Sequence, residues 1–226
     1  MDKYELVSYM SNGKVEAMAM ERISVKTIEA KAGGKLARDK VATVAADLFY
    51  RKGIRAVGVE EIVKEAGVAK ISLYRNFASK DDLVVSYLED RDASFWRQWD
   101  EAFSRYESDP HAQLHAIMTY LARRTTQPGY RGCPFINYAA EFPEPSHPGH
   151  RVVEANKREW RRRLAHIAEA LDVTRPKQLA DGLMLLVEGA YAISQTLGGR
   201  KGPGKEIVSA ANALVDAHKA SRPKRH

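Results

Sequence analysis

The stretch VEEIVKEAGVAKISLYRNFASKDDL, Val59 to Leu83, decides the fold. Ile62, Val63 and Ala66 share one face of a short helix, about Val59 to Ala66. Glu60 and Glu61 occupy its first turn, where the positive end of the helix dipole favours acids. Gly67 supplies a stop. Only about three residues then lead to a second short helix, roughly Lys70 to Phe77, which can bury Leu73 and Phe77 one turn apart. Two short helices joined by so tight a turn cross at a large angle, which is the helix-turn-helix geometry. Lys70, Ile71, Ser72 and Arg75 are left mainly outward. Between Gly67 and Asp81 there are three cations, Lys70, Arg75 and Lys80, and no acid. Ser79 is a good cap for the next helix, with Asp81 and Asp82 as its dipole partners.

Outward from this core the periodicity stays helical. Val41, Val44, Ala45, Leu48 and Phe49 form the buried stripe of a helix that Gly53 ends. After Ser79 a long helix carries Leu83, Tyr87, Leu88, Phe95, Trp96, Trp99 and Phe103 up to about Tyr106. Asp109 and Pro110 open a fifth helix, and Pro134 a short sixth. Residues 143–149, PEPSHPG, make a break before a seventh of about twenty residues. An eighth runs from about Pro176 to Leu197 and a ninth carries Ile207, Ala211, Leu214 and Val215. The expectation is an all-α protein of about nine helices. A helix-turn-helix domain at 36–82 precedes a larger helical domain at 83–219. Residues 1–35 read as a flexible extension and 220–226 as a basic tail.

Composition narrows the function. The 226 residues carry a formal charge of +7, which suggests a polyanionic partner. Residues 36–89 hold nine Lys or Arg against eight Asp or Glu, so the cations of the opening stretch are sorted rather than abundant. One cysteine, Cys133, allows no intrachain disulfide, which fits a reducing compartment. Nothing resembles a secretory signal or a membrane span, so a cytoplasmic protein is expected.

An exposed helix with outward cations and hydroxyls fits the DNA major groove, where base edges present a readable pattern. Arg75 can fork onto a guanine, Lys70 can reach a guanine or a phosphate, and Ile71 can touch a thymine methyl. Tyr74 and Lys80 are better placed for phosphates. From about Ala37 to Leu88 the chain resembles the DNA-binding domain of the tetracycline-repressor (TetR) family of transcriptional regulators. AADLFYRKG, VEEIVKEAGV and LYRNFASKDDL carry the likeness. The nine-helix layout is similar as well, while the C-terminal half is only generically similar. RGCPFINYAAEFPEPSHPGHR resembles a segment found in a subset of members. The resemblance implies base reading by Lys70, Ile71, Ser72 and Arg75, and phosphate contacts at Gly58, Tyr74, Asn76 and Lys80. Two positions depart from the family pattern: Gly58 and Ala69 stand where members often carry a hydroxyl.

The implied partners are a double-stranded DNA operator, a second copy of the chain and a small-molecule effector, with no cofactor and no enzymatic activity. A short recognition helix covers few base pairs, so two copies on a palindrome supply the specificity. The expected dimer face is the stripe Leu183, Leu186, Val187, Ala190, Ile207, Ala211, Leu214 and Val215, with plain intrachain core as the alternative. The expected effector pocket uses Trp96, Trp99, Phe103, Tyr120, Phe135, Tyr138 and Trp160, although core packing competes for each. Repression is the expected output, with activation, or regulation without a ligand, as alternatives. A helical metal-binding or hydrolytic protein is the reading from another class. It would rest on His111 with His115 and His147 with His150, yet solvated or capping histidines fit these spacings better and no metal site is assigned. Cys133 is either a small hydrophobe or a redox centre aided by Arg131. The basic run 156–164, NKREWRRRL, reads as a solvated face or, more sharply, as an anchor for an anionic effector.

Overall fold

The computed structural model describes residues 34–197 and 202–219. The expectations for the N-terminal extension, the basic tail and part of the loop at 198–204 lie outside these residues. Among the described residues all regular structure is helical, except for an isolated bridge between Val173 and Lys219. The described residues form nine α-helices: α1 (34–52), α2 (Val59–Ala66), α3 (Lys70–Asn76), α4 (Lys80–Phe103), α5 (Pro110–Thr125), α6 (Pro134–Glu141), α7 (Gly149–Ala170), α8 (Pro176–Thr196) and α9 (Ile207–His218). Single 3₁₀ turns stand at Ser104–Tyr106 and Pro203–Glu206. None of these helices is long and apolar enough to cross a membrane.

The described residues fall into two compact units. The first comprises 34–47 and 58–80, and the second 48–57 with 81–197 and 202–219. The expected domain boundary assigned the whole of α1 to the DNA-binding part, whereas its last turn clusters with the second unit.

In the first unit Val41, Ala45, Ile62, Val63, Leu73 and Phe77 are buried, as their helical spacing requires. α2 ends in a Schellman motif. The Gly67 N–H donates to the Lys64 carbonyl at 3.3 Å and the Val68 N–H to the Val63 carbonyl at 3.1 Å, with Gly67 at φ +64°. Gly58 caps the start of α2 through its backbone alone. At the end of α3 the Phe77 N–H returns to the Leu73 carbonyl at 2.9 Å.

In the second unit α8 packs against α5, α7 and α9. Asp109 caps α5, its side chain accepting from the Ala112 N–H at 2.9 Å, and Pro110 takes the first helical position, as the sequence indicates. The long fourth helix stops earlier than its periodicity suggests, at Phe103, and tightens into a 3₁₀ turn up to Tyr106. At the other end of the bundle the Thr174 N–H donates to the His218 carbonyl at 2.9 Å, tying the end of α9 to the α7–α8 connection.

Candidate DNA-reading helix and effector cavity

α3 is seven residues long and anchored by one fully buried side chain, Leu73, together with Phe77 just past its end. Its other surface is open. Ile71 is 61% exposed and Tyr74 45%, both large apolar groups left outside a packed core. Lys70 and Arg75 are exposed and Ser72 is half-buried, so all four expected base-reading residues reach the surface of one short helix. Lys70 is not idle: its Nζ donates to Glu60 Oε1 at 2.5 Å, and this hydrogen bond raises the Lys70 pKa. Of the expected phosphate-contacting residues, Tyr74 and Gly58 are exposed and Lys80 is half-buried at the start of α4. The Asn76 amide donates to the Ser72 carbonyl at 2.7 Å, so that side chain closes α3 rather than projecting from it.

In the second unit a cavity of about 310 Å³ lies among α4, α5, α6, α7 and α8, with Tyr50 from the last turn of α1 in its wall. Two of the seven expected pocket residues, Phe135 and Trp160, line it. Phe103 and Tyr120 instead border a second, more open groove together with His111, His115 and Arg124. Trp96, Trp99 and Tyr138 line neither. Trp96 and Trp99 belong to an aromatic cluster in which Trp99 meets Trp160 edge-on at 4.8 Å and Phe103 at 5.0 Å. Tyr138 is fully buried, stacked on Phe142 at 5.0 Å, with its hydroxyl 2.6 Å from His147 Nδ1.

The cavity's polar wall escaped the sequence reading: Tyr50, Arg91, Gln98, Arg124, Tyr130 and Tyr191. The Tyr50 hydroxyl accepts from the Arg131 N–H at 3.0 Å and donates to the Gly132 carbonyl at 3.2 Å. It thereby joins the end of α1 to the loop before α6. Burial pushes the phenols of Tyr130 and Tyr191 well above their ordinary range, so both remain O–H donors. Cys133 is buried at the start of α6 and lines the cavity, with Lys157 Nζ 3.8 Å from its Sγ.

Of the two readings of the basic run on α7, the solvated face holds for Arg158, Arg161 and Arg162, which are exposed, while the anchor for an anionic effector meets cations that already have partners in the chain. Lys157 pairs with Glu188 at 2.6 Å, Arg158 with Glu154 at 2.5 Å, and Arg161 forks onto Asp181 at 2.5 and 2.9 Å. Arg162 grips Glu159, while Arg163 pairs with Glu159 and Asp100 and lies 4.4 Å from the Trp96 ring. The expected dimer stripe is also largely consumed within one chain. Leu183, Val187, Ala190, Ile207, Ala211 and Val215 are buried in the core, and only Leu186 and Leu214 of the eight keep part of their surface. The outer side of α8 presents Leu185 instead, 74% exposed. One histidine pair is engaged locally: His147 lies between Tyr138 and Asp81, and His150 Nε2 bonds the Phe142 carbonyl at 2.8 Å, while His111 and His115 are exposed beside the open groove. Among the described residues no group of three His, Cys, Asp or Glu side chains is placed to hold a metal.

Two family models match the chain: bacterial regulatory proteins of the tetR family over residues 42–87, and the tetracyclin repressor-like C-terminal domain over 110–205. The chain belongs to the TetR family. This TetR-family chain is 32% identical over 108 residues to the transcriptional regulator AcuR of Cereibacter sphaeroides, covering 47% of this chain and 49% of AcuR. It is 38% identical over 53 residues to the transcriptional repressor KstR2 of Mycolicibacterium smegmatis, covering 24% and 26%. These matches thus span half or less of the curated relatives' own length. A TetR-family regulator from Streptomyces coelicolor is similar in structure, with a TM-score of 0.74 and 26% identity over 82% of this chain and 97% of that one.

Proposed function

We propose that the chain is a ligand-responsive, DNA-binding transcriptional regulator, and specifically a repressor that holds a palindromic operator as a homodimer. The observation that carries this reading is α3. It is a seven-residue helix with a buried Leu73 on one side and exposed Ile71, Tyr74 and Arg75 on the other, joined to α2 through a glycine Schellman turn. Ile71 and Tyr74 stand in water beside Lys70 and Arg75, a mixed apolar and cationic surface that suits base edges and a thymine methyl. Arg75 reads a guanine edge, Ile71 covers a thymine methyl, and Tyr74 and Lys80 hold phosphates, with Gly58 contributing backbone at the start of α2.

The cavity supports the responsive half of the proposal. Its wall includes Tyr50 on α1 and Arg91 on α4, helices that are continuous in sequence with the first unit or begin at its last residue. A ligand that favours one arrangement of these helices weakens DNA binding, and DNA weakens ligand binding by the same factor. Dimerisation uses the outer surface of α8 and α9, where Leu185, Leu186 and Leu214 remain accessible. Selection from random duplexes with the purified chain tests the proposal. It is expected to return an inverted repeat occupied by two chains; a single asymmetric site, or no enrichment, overturns it.

A further inference from the structure

The open groove of the second unit, about 890 Å³ in volume, is lined by one sign of charge. Arg105 from the 3₁₀ turn after α4 stands in its wall with Arg123 and Arg124 from the last turn of α5, and no Asp or Glu is among the residues that line it. His111 and His115 share one face of α5, four residues apart, and add two imidazoles to the same wall. Asp109, an acid close by in sequence, is engaged as the cap of α5, where it accepts from the Ala112 N–H at 2.9 Å. Aromatic groups accompany the cations. The Arg105 guanidinium lies 4.8 Å from the Tyr106 ring centre, and Arg124 donates to the Tyr120 hydroxyl at 2.9 Å.

A cleft lined by charge of one sign focuses its field and concentrates counter-ions. On α7, where cations serve the fold, every arginine of the basic run is given a carboxylate of the chain. The groove gathers three guanidiniums and two imidazoles with no carboxylate in its wall. We propose that it binds a small molecule carrying a chain of two or more phosphoryl groups, with Arg105, Arg123 and Arg124 on the phosphate oxygens and His111 and His115 as further donors. The guanidinium fork matches phosphate oxygens, which accept two parallel hydrogen bonds. One carboxylate answers one guanidinium, whereas a phosphate chain spreads several charges along a wall of this kind. The volume is in the upper part of the range for small-molecule sites and has room for a nucleoside triphosphate, with the Tyr106 ring beside it. The groove is distinct from the α4–α8 cavity, although Arg124 and Gln127 line both. The inference goes beyond the effector reading above and does not depend on it.

The test uses the full chain and titration calorimetry at one fixed ionic strength, with inorganic phosphate, tripolyphosphate, ATP and adenosine as probes. Tripolyphosphate and ATP are expected to bind one per chain, with inorganic phosphate weaker by about tenfold or more and adenosine silent. ATP tighter than tripolyphosphate identifies a nucleotide as the source of the phosphate chain, and equal affinity an inorganic chain; either result supports the proposal. Arg105→Ala and Arg123→Ala are each expected to weaken tripolyphosphate by about tenfold, and Arg123→Lys to retain part of the affinity, since it keeps the charge and loses the fork. Both arginines are exposed, so the variants are expected to fold. A rise in the thermal midpoint of the parent chain with tripolyphosphate gives a second readout that needs no variant. Arg75→Ala removes a cation from α3 and is the control for binding at the DNA-reading surface. Loss of tripolyphosphate binding in Arg75→Ala, with Arg123→Ala unaffected, puts the anion on α3 and overturns the proposal. So does an inorganic phosphate affinity equal to that of tripolyphosphate, or no binding of either tripolyphosphate or ATP.

Discussion

Gly67 is the joint on which the reading helix depends, and replacing it gives a clean test of the local account. Its φ of +64° is in the left-handed region, and a Cβ built there would meet nothing within 4 Å. The cost of Gly67→Ala is therefore backbone strain without steric clash, about 1–2 kcal/mol for an L residue in that conformation. The unfolded chain loses some freedom with alanine, which returns about 0.4–1 kcal/mol. The net loss is about 1 kcal/mol. Asparagine tolerates the left-handed region better, so Gly67→Asn should cost less, and valine, branched at Cβ, more. Urea unfolding followed by far-ultraviolet circular dichroism measures all three, with the slope against urea checking that the unfolded state is unchanged. The expected order of stability is Gly, Asn, Ala, Val. If Gly67→Ala were as stable as the parent or more so, the turn would not hold the left-handed conformation, and the account of how α3 is presented would fail with it.

Two further substitutions test the second unit. A Cβ on Gly149 would lie 2.6 Å from Tyr138 Cζ, in a ring already fixed by Phe142 and His147. Gly149→Ala is therefore expected to cost about 1–3 kcal/mol, read as a lowered thermal midpoint; an unchanged midpoint would contradict that packing. Hydrogen bonds from Arg162 and then Arg163 hold the Glu159 carboxyl down at about 2. Its folded value lies below the ordinary one, so its stabilisation is present above about pH 4.5 and disappears as the pH falls towards 2. This part-exposed cluster is screened by water, so Glu159→Gln should cost only about 0.5 kcal/mol at neutral pH and nothing near pH 2. An effect of the same size at both pH values would refute the assignment.

The elements that depend on local chemistry were legible in the sequence. α2 starts and ends where Gly58 and Gly67 indicate, and α5 begins on its Asp109–Pro110 cap. α4 gave no such signal at its end: Ser104 to Tyr106 contain neither Gly nor Pro, and the apolar spacing runs on through the 3₁₀ turn. The cavity was harder for a different reason. Helical periodicity says that Trp96, Trp99 and Tyr138 point inward, but not whether they meet a ligand or one another. Tyr50, Arg91, Arg124 and Tyr191 come from four helices, and only tertiary packing brings them to one wall. The same ambiguity explains the dimer stripe, since an apolar repeat on α8 and α9 looks alike whether it packs within a chain or between chains. The basic run on α7 was legible as a solvated face with its local partners Glu154 and Glu159, but Asp100, Asp181 and Glu188 are far from it in sequence and are brought to it only by tertiary packing.

The central claim is that α3 reads bases through Arg75 while Lys80 holds the backbone, and it can be put to a single experiment. The parent chain, Arg75→Ala and Lys80→Ala are each taken through duplex selection and deep sequencing at one fixed salt concentration. Arg75→Ala is expected to lose the preference at one position in each half of the inverted repeat, a discrimination of about 1–3 kcal/mol, while keeping the remaining positions. Lys80→Ala is expected to return the parent motif with affinity lowered evenly across sequences. An Arg75→Ala motif identical to the parent's would contradict the account and take α3 out of the groove.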